Sequence, residues 1–132
     1  MLKVLLDEHV SPAVASGLKR RLPRFTVHAL AEWDNGAHLG QDDASCLQDA
    51  ARRKLTLVTY DRRTIPPLLK VWAESGIHHA GVVFVDEKTI APPDIGGLVR
   101  ALVELAKAAQ NWDWTDRVCF LERADGRRGN SS

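Results

Sequence analysis

Five short runs of aliphatic and β-branched residues alternate with segments of helical period, and this alternation constrains the fold more than any single residue. The runs are Val4 to Leu6, "RFTVHAL", "LTLVT", "GVVFV" and "RVCFL". Between them, Ser11 and Pro12 read as an N-cap followed by proline at the first helical position. Val14, Leu18 and Leu22 then recur at helical spacing until Pro23. Asp42 or Asp43 caps a second helix, in which Leu47, Ala50 and Ala51 share a face. "YDRRTIPP" is expected to stay extended, because residues before proline avoid the helical region, with "LLKVWAES" as a short third helix ending at Gly76. The fourth helix runs from Asp94 to about Gln110, with Leu98, Leu102, Leu105 and Ala109 as its apolar stripe. Strand and helix in alternation predict an α/β protein: a three-layer α/β/α sandwich on a mainly parallel five-stranded sheet, with right-handed crossovers.

With 132 residues the chain suffices for one domain with a real core, expected over residues 1–121, and the tail 122–132 is expected to be disordered. "AEWDNGAHLGQ", with two glycines and an Asn-Gly pair, is expected to be a loop. Eighteen Lys and Arg against seventeen Asp and Glu leave a net charge of +1, so no global field marks a nucleic-acid partner. Nine basic residues fall in three clusters: Lys19, Arg20, Arg21 and Arg24; Arg52, Arg53 and Lys54; Arg62 and Arg63. The first two suit helix C-termini; the third does not fit that explanation. Cys46 and Cys119 lie in apolar patterns without metal-ligand spacing, which suggests buried thiols in a reducing cytoplasm. No stretch approaches a membrane span, and the first apolar run is too short for a signal peptide.

The first strand stops at Asp7, Glu8 and His9. In a parallel sheet the carboxyl ends of the strands share one edge, where ligands bind at the reversal of strand order. Asp7 follows the first strand, Asp61 follows the third, and Asp43 starts the helix that leaves the strand-two side, so three carboxylates can converge there. Packed acids repel unless a cation compensates, and hard oxygen ligands in small number suit Mg²⁺ or Mn²⁺, which can drive phosphodiester hydrolysis. Zinc is disfavoured, since the histidines show no paired spacing beyond His78 and His79. Each acid also has a structural explanation: Asp43 as an N-cap, Asp61 as a turn-former, Asp7 as the partner of His9 or an arginine. Glu8 and Asp42 are solvated or support the ligand carboxylates from behind. Trp33 stacks a base or covers the core edge, and Trp112 and Trp114 pack the fourth helix or build a dimer contact.

At "LLDEHVSP", "DDASCLQDAARRKLTLVTYDRRT" and "GVVFV" the sequence resembles the PIN-like domain family, over roughly residues 1–121. The match is to a stand-alone five-stranded subgroup related to the toxin ribonucleases of toxin–antitoxin pairs. The resemblance implies a Mg²⁺- or Mn²⁺-dependent ribonuclease with Asp7, Asp43 and Asp61 as catalytic metal carboxylates and the Thr59 hydroxyl orienting Asp61. RNA is then the substrate and an antitoxin protein a partner, with a homodimer also open. Where PIN-like proteins often carry a further acid two residues beyond the third, this chain has Arg63. Arg62 and Arg63, with His9 and Trp33, are instead candidates for binding substrate, arginine through its bidentate grip on phosphate. Two other functions compete. A catalytically quiet PIN-like module would bind nucleic acid or a partner. A phosphoreceiver domain would use Asp7, Glu8 and Asp61, but "GVVFVDE" and "RVCFLER" lack the hydroxyl and lysine it needs.

Overall fold

The structure, a computed structural model, describes residues 2–33 and 42–124. Five strands, β1 (Val4–Leu6), β2 (Val27–Ala29), β3 (Thr56–Thr59), β4 (Val82–Phe84) and β5 (Val118–Phe120), alternate with four helices, α1 (Pro12–Arg21), α2 (Asp43–Arg52), α3 (Ile65–Glu74) and α4 (Ile95–Ala108). The strands form one sheet in the order β2-β1-β3-β4-β5. All four pairings are parallel, with Leu5 opposite both His28 and Leu57. This is the expected three-layer α/β/α sandwich. Residues 34–41 of the expected loop and 125–132 of the expected tail lie outside the described residues. Among the described residues no helix is long and apolar enough to cross a membrane.

Helix starts follow local chemistry. Ser11 Oγ accepts the Ala13 amide ahead of Pro12, and Asp94 Oδ1 accepts the Gly97 amide at 2.9 Å. Helix α3 departs from expectation, because it begins at Ile65 and takes Pro66 and Pro67 into its first turn. The first-turn amides have no intrahelical acceptor, so the prolines lose nothing there and their fixed φ suits a helix.

Alternation along each strand divides the core. Val4, Leu6, Val27, Val58 and Val83 face α1 and α4, while Leu5, Leu57, Val82 and Phe84 face α2 and α3. The steps from β1 to β2 and from β4 to β5 run in opposite directions across the sheet, yet α1 and α4 lie on the same face. Their crossovers therefore have opposite hands. Since α2 and α3 agree in hand with α1, the connection through α4 is the exception to uniformly right-handed crossovers. Burial against α1 explains it: Leu98 and Leu102 are fully buried, and a Cβ on Gly17 would sit 2.7 Å from Val99 Cγ2, so the two helices touch closely. The segment that carries the chain across the sheet edge is pinned by the Tyr60 hydroxyl, which donates to the Ile90 carbonyl at 2.8 Å, and by buried Val85 and Ile90.

Among the described residues no helix consequently covers one face of β5, and Val118 and Phe120 are 46% and 57% exposed, with Phe120 resting on Phe84. At the other end of the strands, Gly81 has φ +103°, and an added Cβ would lie 2.9 Å from both the Trp114 ring and the Trp114 carbonyl oxygen. Gly81→Ala should lower the unfolding free energy by about 2–4 kcal/mol, combining backbone strain with overpacking. Thermal or urea unfolding that matches wild type would show that this loop shifts freely.

Candidate functional site

The chain moves one way from β1 to β2 and the other way from β3 onward, so strand order reverses between β1 and β3. A crevice outside the carboxyl ends of these two strands is where an open α/β sheet binds ligands. Asp7 leaves β1 there, its amide donating to the Val58 carbonyl at 2.9 Å. Its Oδ2 accepts the Thr59 hydroxyl at 2.6 Å, and its Oδ1 accepts the Glu8 amide at 2.8 Å. Thr59, fully buried at the end of β3, also accepts the Asp61 amide on its Oγ at 3.0 Å. The threonine thus joins both strand ends. It places Asp61 through the backbone and donates its hydroxyl hydrogen bond to Asp7.

The Asp61 carboxylate turns back on its own loop, with Oδ1 accepting the amides of Arg63 at 2.9 Å and Thr64 at 2.8 Å. This is the turn-former's bond pattern. Partial burial alone would raise the Asp61 pKa; hydrogen bonds from the Thr64 and Arg63 amides and the Thr64 hydroxyl, with the charge of His9, outweigh it and hold the carboxyl below its usual range.

Asp42 is the N-cap of α2, its Oδ1 accepting the Ser45 amide at 2.7 Å. Asp43 is therefore the first helical residue, and capping does not explain it. Its pKa is pushed up first by burial and then by the charges of Asp61, Asp7, Glu8 and Asp42, so Asp43 lies within the field of both other candidate carboxylates. The same field reaches Cys46, whose thiol is pushed up to about 11 by burial, then by Asp7 and Asp43. Repulsion in the cluster thus falls on Asp43, while Asp61 is stabilised as an anion by its loop.

The candidate substrate groups separate. Arg62 lies 3.5 Å from Asp86, an ion pair across the same edge. The Arg63 guanidinium is exposed and has no partner among the described residues. His9 is exposed beside Asp61. Of the two readings of Trp33, core cover holds and substrate binding is corrected: only 4% exposed, it packs in the α2–α3 core with the Arg53 guanidinium 4.8 Å from its ring centroid and His28 stacked at 6.3 Å. A ring so enclosed cannot stack a base. Asp86, just beyond β4, was not among the sequence candidates, although its signal was present in an acid closing a buried strand. His78 and His79 serve elsewhere: His78 Nδ1 is 2.5 Å from Asp116 Oδ2, and buried His79 accepts the Gly81 amide on Nδ1, its pKa lowered by desolvation.

Among the described residues no group of three or more His, Cys, Asp or Glu side chains is placed to hold a metal ion. The donor set nevertheless suits a hard divalent ion, being three carboxylates from separate elements, one of them at an electrostatic cost that a cation would remove. No family model, curated protein or solved structure matches this chain.

The two shifts predict opposite responses in metal-free protein. Asp43 has a folded pKa above its unfolded one, so its charge costs stability at neutral pH, and that cost disappears as pH falls into the window just above the ordinary carboxylate range. Asp61 has a folded pKa below its unfolded one, so its contribution is present at neutral pH and is lost as pH falls through the folded value. In chelator at pH 7, Asp43→Asn should raise Tm and Asp61→Asn should lower it, and both differences should shrink toward pH 3. Thermal unfolding from pH 3 to 7 measures this. A lower Tm for Asp43→Asn at pH 7 would show that its charge carries no repulsive cost.

Proposed function

We propose that this protein is a metal-dependent ribonuclease of PIN-like type, hydrolysing RNA phosphodiester bonds as the toxin of a toxin–antitoxin pair. The observation that carries the reading is the Thr59 hydroxyl at the reversal of strand order, bonded to both Asp7 Oδ2 and the Asp61 amide, with Asp43 near enough to feel the charges of both acids. RNA and an antitoxin partner come from the sequence resemblance alone. Asp7, Asp43 and Asp61 would hold Mg²⁺ or Mn²⁺, which supplies an acidified water and neutralises charge on the phosphate. The remaining work belongs to the chain's own groups. Thr59 fixes the orientation of Asp7 by hydrogen bond. The loop amides favour the Asp61 anion and hold its carboxyl below its usual range. Arg63, exposed at the same edge, is free to take a phosphate oxygen pair, whereas Arg62 would first have to leave Asp86.

The phosphoreceiver alternative gains from the sheet order, which is also that of flavodoxin-like folds. It still lacks its gripping groups, because Val85 and Asp86 follow β4 and Leu121 and Glu122 follow β5. A catalytically quiet binding module is the remaining alternative.

Single-stranded RNA incubated with purified protein should be cut in Mg²⁺ or Mn²⁺ and left intact in chelator. Thr59→Val should slow cleavage about 10–100-fold, the usual cost of removing a hydrogen bond behind a metal ligand, and Asp7→Asn at least as much. Arg63→Ala should flatten the slope of log affinity against log salt by about 0.7, one phosphate contact on a single strand. Cleavage by Asp7→Asn at the wild-type rate would remove the catalytic assignment. RNA binding without cleavage in either metal would favour the quiet module.

A further inference from the structure

A cavity of about 630 Å³ opens at the amino-terminal end of the sheet, the end away from the acid cluster. Its floor is apolar: Leu2 ahead of β1, Leu22 and Phe25 between α1 and β2, and Ala106 on α4. Leu2 is buried, while Leu22, Phe25 and Ala106 are partly buried and pack on the α1–α4 core. The rim is cationic, with Arg21 and Arg24 on one wall and Lys107 on the other, and among the described residues no acidic side chain lines the cavity. Arg21, Arg24 and Lys107 are exposed and form no ion pair or hydrogen bond through their side chains among the described residues.

Helix-end electrostatics accounts for part of this. Lys19, Arg20 and Arg21 lie in the last turn of α1 and Lys107 in the last turn of α4, where cations oppose the helix dipole. That explanation does not reach Arg24, which lies beyond Pro23 and outside the helix, nor the recess of aliphatic and aromatic surface beneath the charges. The volume falls in the range of small-molecule sites, about 300–1,000 Å³, as does a mostly apolar lining with a few polar groups at one side. A nucleic-acid backbone would use the cations but gain nothing from the floor.

We propose that this recess binds a small amphiphilic acid, its apolar body over Leu22, Phe25 and Ala106 and its single carboxylate held by the Arg21, Arg24 and Lys107 rim. Arginine suits the carboxylate through paired N–H donors, and the apolar floor lowers the local dielectric and strengthens that contact. The site is independent of the nuclease reading, since it shares no residue with the acid edge.

Decanoate is a suitable probe, titrated calorimetrically into the purified protein beside decanol and a short acidic peptide carrying one leucine. Decanoate should bind saturably at one site, and decanol about tenfold or more weakly, because it lacks the charge-assisted hydrogen bonds. Arg24→Gln combined with Lys107→Gln should weaken decanoate at least about tenfold with Tm unchanged, since both side chains are solvent-facing. Ala106→Trp should abolish binding by filling the recess while leaving the rim charges in place. Equal binding of decanol and decanoate, wild-type affinity in the rim variant, or absence of saturable binding would overturn the proposal. So would tighter binding of the peptide, which would make the recess a protein-docking site.

Discussion

Strand β1 is enclosed on four sides, by β2 and β3 along its edges and by helices on both faces, and Val4, Leu5 and Leu6 are completely buried. A charge has no place within it. The first position that can carry one is Asp7, where the ladder to β3 continues for one more bond, to Val58, before the chain turns away. The carboxylate is thereby delivered to the reversal of strand order, beside the end of β3. Thr59 then satisfies one of its oxygens from a site that excludes water. A buried hydroxyl without an acceptor would be costly, so the bond constrains both strand ends together.

Three acids in one field behave differently because their local donors differ. Asp61 has two amides from its own loop and the charge of His9, which stabilise the anion. Asp43 stands at a helix start, where the dipole favours an anion, but burial and four neighbouring acids outweigh that benefit. Asp86 resolves its own position by pairing with Arg62, leaving Arg63 as the arginine free at this edge among the described residues. The result is an edge with one strained carboxylate, one stabilised carboxylate and one held by a hydroxyl. An incoming cation would gain most from the strained one.

The packing of α4 against α1 shapes the rest of the molecule. Burying Leu98, Val99 and Leu102 against the Gly17 face of α1 draws α4 to that side of the sheet, against the usual hand of the crossover. The converging C-terminal ends of the two helices leave the recess between Leu22, Phe25 and Ala106. On the opposite side, Phe120 is more than half exposed and rests on the tilted ring of Phe84.

By itself the sequence determined what local chemistry controls. Strands appear where β-branched and aliphatic residues run together, helices begin at Ser11 and Asp94 where a side-chain oxygen can take a free amide, and Asp7 and Asp61 had to follow strands. Position 43 was legible as an acid at a helix start, but which aspartate caps was not, because Asp42 and Asp43 offer the same group one residue apart. Proline in the first turn of α3 was misread because the rule against helix before proline weakens where amides are unpaired anyway. Trp33 and Asp86 could be placed only by tertiary structure, since burial of a loop tryptophan and the pairing of an acid with Arg62 depend on elements distant in sequence. Strand order and the face chosen by α4 were likewise decided by tertiary structure, as was the exposure of Asp43 to the charges of Asp7 and Asp61. Local signals extend over a turn or two of chain, whereas these outcomes follow from which apolar faces can be buried against one another.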